Sequence, residues 1–307
     1  MGTKDTITKK YMRNPNHFAD FFNGYIYNGR EEIKANALSE VDTSNITVVP
    51  YHKGNKNITV QKYRDILKKV ILMKSDKAYY LFLGIENQTE IHYAMPVRNM
   101  LYDSLVYNQQ IEQIAKYNRE NGLCDDSREF LSGFTKNDKL TPIISVTVYW
   151  GTTPWNAPTS LLEMIDDMDD NAKVLFQDYN CNLFSIIDSE ELPKFNTELK
   201  ELFNLLRLRN NTNELRELLL NDLAYRNIDK ETAIMMAEFS DIKIPRRNKE
   251  GKYNMCKAIM ELEKRSADNA LINAIKNAMT NTKQTFEDVC KMLGISPEDM
   301  ERYKEII

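Results

Sequence analysis

The chain has 307 residues and a formal net charge of −4, from 41 Lys and Arg against 45 Asp and Glu, which argues against a sequence-blind, high-affinity binder of nucleic acid. Its 42% hydrophobic and 28% charged residues are typical of a globular chain with a packed core, and no apolar run reaches the roughly 18 residues that would cross a bilayer. Four isolated cysteines, three scattered histidines and an N-terminus without an apolar signal segment predict a cytoplasmic location, no membrane partner and no histidine-based metal site.

The first 190 residues alternate helix and strand patterns. Apolar residues at helical spacing predict a helix over 9–27 and a short helical piece over 31–38, and Pro96 suits the first turn of a third helix that ends near 118. Runs of β-branched and aromatic residues predict strands at 42–52, 78–88, 140–151 and 181–188. The segment "ITVQKYRDILKKVILM" (58–73) alternates like a strand in its first half and fits either a strand or a short helix in its second.

From Leu192 onward the pattern is helical. It predicts helices at about 193–208, 212–222, 229–239, 254–279, 284–293 and 297–306, with the basic segment "PRRNKEGK" (245–252) as a linker or exposed loop. Gly294 ends one helix, and Ser296 with Asp299 is typical of a capping box, so the last two helices form a helix–turn–helix-like hairpin. This hairpin is either an ordinary structural unit or a DNA-reading motif. The order of elements predicts a mixed α/β core over 1–190 and an all-helical C-terminal extension over 191–307.

Two polar side chains end the apolar strand at 78–88. Glu86 and Gln88 are two residues apart and therefore project from the same face of a strand. A buried carboxylate is costly unless it reaches water, a partner or a metal, so the strand either emerges into solvent at Gly84 or presents Glu86 to a ligand. Asp65 lies one strand earlier and approaches Glu86 if the two segments pair through the turn "KSDK" (74–77). Two carboxylates beside an amide are a donor set that suits Mg²⁺.

Asp65, Glu86 and Gln88 fall in a pattern that resembles the D…(D/E)-x-K signature of the PD-(D/E)XK nuclease superfamily. A closer resemblance is to one branch of it, the Rpn family of recombination-promoting nucleases and transposases. This resemblance covers most of the chain, and it lies in the segments "YRDILKKVILM", "YLFLGIENQTEIHYAMPVRNMLYD", "EFLSGF", "PIISVTVYWG" with the tryptophan that follows, and "LGIS".

The resemblance implies a restriction-endonuclease-like αβββαβ core and metal-dependent cleavage of DNA, with Asp65 and Glu86 as ligands of Mg²⁺, for which Mn²⁺ can substitute. Gln88 stands where the superfamily usually has lysine. A glutamine donates and accepts hydrogen bonds, but it has no charge to steer the attacking water. The Rpn branch resembles this chain in accepting glutamine at this position, so the expectation is an active enzyme that relies more on the metal and turns over slowly.

Further site residues are expected around this pair. The first helix of the superfamily often adds an acid, for which Asp20 is the catalytic candidate and Asp42 the rival; a solvated helix face is the alternative for Asp20. A basic strip from Lys53 to Lys69 is either a solvated surface or a phosphate-contacting one. Arg98 and Tyr102 share a helix face and either meet phosphate or contact the core acids. The predicted nucleic-acid contacts are Lys53, Lys62, Arg64, Lys68, Lys69, Arg98 and Tyr102.

Two functions from different classes are compatible with these residues. The favoured one is a metal-dependent DNA endonuclease linked to recombination, transposition-like events or defence against foreign DNA. The alternative is a catalytically weak or inactive nuclease-fold module that binds DNA or a protein partner, which Gln88 and the acidic composition favour. Cutting both strands of a duplex is simplest with two sites, so a homodimer is a candidate assembly. An apolar stripe on the helix at 254–279 either pairs two chains or is buried within one, and it consists of Met255, Ile259 and Leu262.

Overall fold

The structure is a computed structural model that describes residues 2–41, 49–53, 56–60, 64–74, 77–240 and 242–304. The chain contains two compact units, Met1–Thr212 and Asn213–Ile307. Two residues with predicted roles, Asp42 and Lys62, lie outside the described residues.

A five-stranded mixed sheet forms the centre of the first unit. The strands that the structure describes are β1 (Leu38–Glu40), β2 (Val49–Lys53), β3 (Lys56–Val60), β4 (Ile66–Lys74), β5 (Lys77–Gln88), β6 (Ile143–Tyr149) and β7 (Asn182–Ser185). The order in the sheet is β1-β4-β5-β6-β7, and β2 with β3 forms a separate antiparallel pair. β4 is antiparallel to both β1 and β5, whereas β6 is parallel to both β5 and β7.

The helices of the first unit are α1 (Thr3–Arg13), α2 (Pro15–Tyr27), α3 (Met95–Glu120), α4 (Ser127–Ser132), α5 (Asp170–Leu175) and α6 (Leu199–Leu208), with 3₁₀ turns at Ala35–Ala37 and Leu162–Met164. α3 connects β5 to its parallel neighbour β6, because parallel strands need a long crossover. The sequence α2, three antiparallel strands, α3 and a parallel strand is therefore αβββαβ, with the β2–β3 pair inserted after the first strand.

Aromatic side chains from helices and strands form much of the first unit's core. Phe21 of α2 has its ring centroid 5.4 Å from those of Phe22 and Phe184. Phe203 of α6 lies 5.3 Å from Phe184 and 5.6 Å from Trp150. α2 and α6 therefore share one aromatic core with the ends of β6 and β7, and this core supports the sheet edge near residues 86–88.

The second unit is built from helices. They are α7 (Thr212–Asn221), which starts at the last residue of the first unit, α8 (Lys230–Phe239), α9 (Met255–Thr282), α10 (Phe286–Met292) and α11 (Pro297–Lys304), with a 3₁₀ turn at Leu223–Arg226. Gly294 has the predicted left-handed conformation, with φ of 69°. Ser296 and Asp299 make the predicted cap, since the backbone N–H of Asp299 donates to Ser296 Oγ at 3.2 Å and the Ser296 hydroxyl donates to Asp299 Oδ2 at 2.8 Å. α9, α10 and α11 enclose a small core of Ile272, Ile275, Val289, Cys290 and Tyr303.

The predicted mixed α/β class is confirmed, although some elements differ locally from the prediction. The helix predicted over 9–27 is two helices, because Asn14 caps the second one and Pro15 begins it without an N–H. The second half of 58–73 is the strand β4, paired along its length with β5. The short elements β1, α4 and α5 were missed, since three to six residues give too little periodicity to detect.

The predicted domain boundary at residue 190 stays a prediction, while the first compact unit extends to Thr212. In the described parts of the chain, no helix is both long enough and apolar enough to span a membrane. In the apolar stripe of α9, Met255 and Ile259 are buried within the chain, at 0% and 1% exposed, whereas the side chain of Leu262 lies outside the described part.

Candidate active site

The register of β4 against β5 brings Asp65 and Glu86 together. Ile66 pairs with Ile85, so Asp65 and Glu86 come next in the same register. The backbone N–H of Asp65 donates to Glu86 Oε1 at 3.3 Å, and the backbone N–H of Asn87 donates to Asp65 Oδ2 at 2.9 Å. The strand pairing on which the predicted site depends is confirmed.

Glu86 is a buried carboxylate between two guanidinium groups. It is 1% exposed, with Arg98 Nη2 at 3.3 Å from Oε2 and Arg64 Nε at 3.7 Å from Oε1. Burial, followed by the charge of Asp65, raises the pKa of Glu86 to about 8, although both arginines act in the opposite direction. The charge of Glu86 at neutral pH therefore depends on the cations beside it.

Helix α1 adds Lys9 and Asp5, which the sequence interpretation missed. Lys9 Nζ lies 3.0 Å from Asp65 Oδ1 and 3.1 Å from Asp5 Oδ2. Burial acts to lower the pKa of Lys9, but the charges of the two carboxylates and their hydrogen bonds outweigh it and raise the pKa. The four-residue spacing of Asp5 and Lys9 is visible in the sequence. Their approach to Asp65, however, depends on where α1 packs.

The Asp65 carboxylate contacts both Lys9 and the backbone N–H of Asn87. Its side chain is 6% exposed. Burial raises the pKa of Asp65, while the hydrogen bond from Asn87 and the charge of Lys9 oppose this rise and the charge of Asp5 adds to it. Asp5, Asp65 and Glu86 are thus electrostatically linked, with cations between and around them.

Arg64 ties the site to α3 and to the parallel strands. Its Nη2 lies 2.5 Å from Asp103 Oδ1, which also accepts a hydrogen bond from the Ser145 hydroxyl at 2.5 Å. The Tyr179 hydroxyl donates to the other oxygen of Asp103 at 2.6 Å. A Cβ on Gly84 would overlap Arg64 Nη1, so any larger residue at this position would displace the guanidinium that passes the strand. Arg64 is therefore a buried positioning group.

The end of β5 is fixed through Asn87 and Trp150. Trp150 Nε1 donates to Asn87 Oδ1 at 3.0 Å, and the Trp150 backbone N–H donates to the carbonyl of Gln88 at 2.8 Å. The side chain of Gln88 is half-buried, and within the part of the chain that the structure describes its amide has no hydrogen bond. Gln88 is therefore available to a ligand at the C-terminal end of β5, whereas the neighbouring carboxylates are already paired.

Two cations of the predicted phosphate-contacting strip are buried in the fold. Arg64 and Lys68 are 4% and 1% exposed. Lys68 Nζ donates to the carbonyl of Arg13 at 2.7 Å and lies 3.2 Å from Glu40 Oε1. Lys69 is half-buried, with Nζ 4.1 Å from the centroid of the Tyr80 ring. Arg64 and Lys68 are thus internal groups rather than surface contacts for DNA.

Arg98 and Tyr102 follow the alternative that the sequence left open, contact with the core acids. Tyr102 is 5% exposed, and its hydroxyl accepts a hydrogen bond from Arg98 Nε at 3.2 Å. Burial and the charge of Glu86 raise the pKa of Tyr102. Tyr102 therefore contacts Arg98 and is largely buried, and direct phosphate contact by Tyr102 and by the partly exposed Arg98 stays a prediction. The side chain of Lys53 lies outside the described part of the chain.

Asp20 anchors a loop instead of joining the carboxylate pair. Its oxygens accept hydrogen bonds from the backbone N–H groups of Asn196 and Thr197 at 2.9 Å and 2.8 Å, and from the Thr197 hydroxyl at 2.6 Å. It lines a cavity of about 360 Å³ whose lining includes neither Asp65 nor Glu86. The structure therefore does not bring Asp20 to the predicted site.

The two carboxylates fit a hard divalent cation in donor type. Mg²⁺ binds through one or two carboxylates and keeps several waters, and Asp65 and Glu86 supply two. Among the residues described here, no group of three or more His, Cys, Asp or Glu side chains is arranged to hold a metal ion, so water and substrate would fill the other positions. An ion would compete with Lys9 for Asp65 and with Arg98 for Glu86.

The fold and the site define a mixed α/β protein of αβββαβ order with a carboxylate pair at the ends of two adjacent strands. Residues 3–211 match the family model described as "Putative transposase, YhgA-like", and the chain therefore belongs to this family, which is part of the Rpn/PD-(D/E)XK-like group. The resemblance found in the sequence is confirmed. The matched region contains every residue of the carboxylate site. No curated protein and no solved structure matches the chain significantly.

Proposed function

We propose that this protein is a metal-dependent endonuclease that hydrolyses DNA phosphodiester bonds on a PD-(D/E)XK-type core. The observation that carries the proposal is the side-by-side placement of Asp65 and Glu86 at the ends of adjacent strands of an αβββαβ unit. Membership of a transposase family supports chemistry on DNA. A role in recombination, transposition-like events or defence against foreign DNA is part of the same proposal.

Asp65 and Glu86 would hold the Mg²⁺ or Mn²⁺ ion. When bound, such an ion stabilises charge on the phosphorus oxygens and lowers the pKa of a water. Arg98 lies 3.3 Å from Glu86 Oε2, which keeps the carboxyl group in place and favours its ionised form. Gln88 projects from the same strand face as Glu86, and its amide can orient a water or a phosphate oxygen by hydrogen bonding.

Lys9 supplies the positive charge that Gln88 lacks. A Coulomb interaction depends on distance and surroundings, and the position of the residue in the chain does not enter it. Lys9 Nζ lies 3.0 Å from Asp65 Oδ1, and its raised pKa keeps it charged at neutral pH. A cation from α1 thus takes the role of the lysine that the superfamily carries on the strand.

One observation favours the alternative, a nuclease-fold module without catalytic power. Each carboxylate oxygen of the pair already has an internal partner: Lys9 and the Asn87 N–H for Asp65, and the Asp65 N–H and Arg98 for Glu86. A site satisfied in this way is stable without any ion, so the same residues serve a binding module that recognises DNA or a protein.

Cleavage of supercoiled plasmid by the full chain separates the two functions. Wild type, Asp65→Ala and Glu86→Ala are incubated with Mg²⁺, Mn²⁺ or EDTA, with Glu90→Ala as the control because Glu90 is an exposed carboxylate four residues from Glu86. We expect metal-dependent cutting by wild type and Glu90→Ala alone. Equal cutting by every variant, or none by wild type in either metal, contradicts the proposal. Retardation of uncut plasmid in a gel would instead support the binding module.

A further inference from the structure

The second unit contains an open cleft of about 820 Å³ whose charged lining is almost entirely basic. The unit as a whole is not basic, since residues 213–307 contain 16 Lys and Arg against 17 Asp and Glu. The cleft is therefore a local concentration of positive charge. Its charged lining residues are Arg226, Arg246, Arg247, Lys257, Arg265 and one acid, Glu261.

The cations of this cleft are exposed. Arg226, Arg246, Arg247 and Lys257 form no ion pair with any residue that the structure describes. Arg265 is 3.8 Å from Glu261, a surface pair of little strength. Among the described residues, therefore, there is no carboxylate that an incoming anion would have to displace from these four side chains.

The loop that carries Arg246 and Arg247 has a defined backbone. Ile228 and Tyr253 exchange two backbone hydrogen bonds of 2.9 Å and 2.8 Å, which close the loop at its end. Within the loop, Asn248 Oδ1 accepts hydrogen bonds from the backbone N–H groups of residues 250 and 252 at 3.0 Å and 2.8 Å. The two arginines are thus presented from a fixed frame, which lowers the entropic cost of ordering them on a ligand.

The spread of the cations indicates what kind of anion fits. Lys257 and Arg265 are eight residues apart on one face of α9, which corresponds to roughly 12 Å along the helix axis. A single phosphate or carboxylate cannot reach across that distance, whereas a row of phosphates can. The N-terminal end of α9, capped by Asn254, adds the positive end of its helix dipole to the cleft.

We propose that this cleft binds the phosphate backbone of DNA, and that this binding does not require the carboxylate site. The cleft lies outside residues 3–211, the part of the chain that matches the family. The choice of DNA among polyanions rests on the proposed nuclease function, while the binding of a phosphate backbone rests on the cleft alone.

Binding of a fluorescein-labelled duplex of 24 base pairs to the full chain, measured by anisotropy in EDTA, tests this without any cleavage. Arg246→Gln/Arg247→Gln is compared with Lys243→Gln/Lys249→Gln, which removes the same charge from exposed neighbours that do not line the cleft. Each lost phosphate contact reduces the slope of log K against log salt by about 0.9. We expect the cleft double variant to bind on the order of 10- to 100-fold more weakly at 0.1 M salt, with a slope smaller by about 2.

Several results would overturn the proposal. One is wild-type affinity and salt slope in the cleft variant, and another is an equal loss in the control. If the loop variant does not fold, Lys257→Gln/Arg265→Gln on α9 is measured under the same criteria. Competition by ATP at micromolar concentration would indicate a small-anion pocket, and preference for RNA of equal length would replace DNA as the ligand. A wild type that binds through the cleft and cuts nothing would leave the inference intact and remove the nuclease proposal.

Discussion

The protein holds two groups of cations that differ in their surroundings. In the first unit Lys9 and Arg98 each face a carboxylate in a buried or half-buried setting. In the second unit Arg246 and Arg247 are exposed and, among the residues described, have no acidic partner. Burial explains the difference, because a buried charge is costly without a partner whereas an exposed charge stays hydrated.

This difference shows that net charge is a poor guide to where an anion can bind. The whole chain is acidic, which counts against DNA binding, yet a basic cleft is concentrated in one part of it. The strip from Lys53 to Lys69 is basic in sequence, but two of its cations, Arg64 and Lys68, are buried in the fold. Cations that neutralise internal acids position a site, and cations without internal acids are available to a ligand.

The largest expected effect comes from removing charge at the carboxylate pair while keeping its shape. Glu86→Gln should lower the rate of metal-dependent DNA cleavage on the order of 10³-fold, because a neutral amide stabilises a divalent ion far less than a carboxylate does. The measurement is the initial rate of plasmid nicking in Mg²⁺, with binding of the same DNA in EDTA as a control. A rate within threefold of wild type would show that Glu86 is a structural acid only.

A smaller loss of cleavage rate is expected at Lys9, which pairs with Asp65 and would also act on the phosphate of a bound substrate. Lys9→Gln should reduce cleavage roughly 10- to 100-fold, since one charge near the reacting phosphate is lost. Lys10→Gln is the matched control, because Lys10 is exposed on the same helix. Adding Gln88→Lys to Lys9→Gln should restore much of the rate if position in the chain does not matter. Failure of this double variant to recover would mean that Lys9 acts only by holding Asp65.

The position of the carboxylate pair could be predicted from the sequence, because it depends on the period of one strand and on its pairing with the preceding strand. Glu86 and Gln88 follow the two-residue period of a strand, and Asp65 needed only the correct hairpin register. Lys9 and Asp5 could not be found in this way, because α1 meets the start of β4 only through tertiary packing. The same limit applies to Asp20, whose helical position gave no sign of its contact with Thr197, 177 residues away.

In the helical second unit, the helices could be predicted from the sequence but the candidate binding cleft could not. Its helices and the capping box at Ser296 follow from periodicity and cap residues, which act within a few positions. The segment 245–252 was recognised as basic and exposed, but its partners in the cleft are distant in the chain. Arg226 and Arg265 join it only after folding, so the cleft had no sequence signal of its own.

A smaller effect is expected at Gly84, where the strand passes the buried guanidinium of Arg64. Gly84→Ala places a methyl group against the guanidinium of Arg64 and should reduce the free energy of unfolding by about 1–3 kcal/mol, the usual cost of overpacking. Urea unfolding followed by circular dichroism measures it. Gly2→Ala is the control, since its Cβ would meet no atom within 4 Å. Equal stability of the Gly84→Ala and Gly2→Ala variants would show that Arg64 can move away from the strand at little cost.

The smallest expected effect is a dependence of stability on pH that belongs to Glu86. Its pKa in the folded protein is about 8, above the ordinary value of 4.5, so the folded state binds the proton more tightly than the unfolded chain does. This contribution to stability is complete below pH 4.5 and is lost as the pH rises through 8. Wild type should therefore lose more stability between pH 6 and 9 than Glu86→Gln, by on the order of 2–4 °C in Tm. Thermal unfolding in EDTA measures this, with Glu90→Gln as the exposed control. If wild type instead gains stability relative to Glu86→Gln as the pH rises, Arg64 and Arg98 outweigh burial, and the carboxylate is held ionised by the same pairing that distinguishes this site from the open cleft.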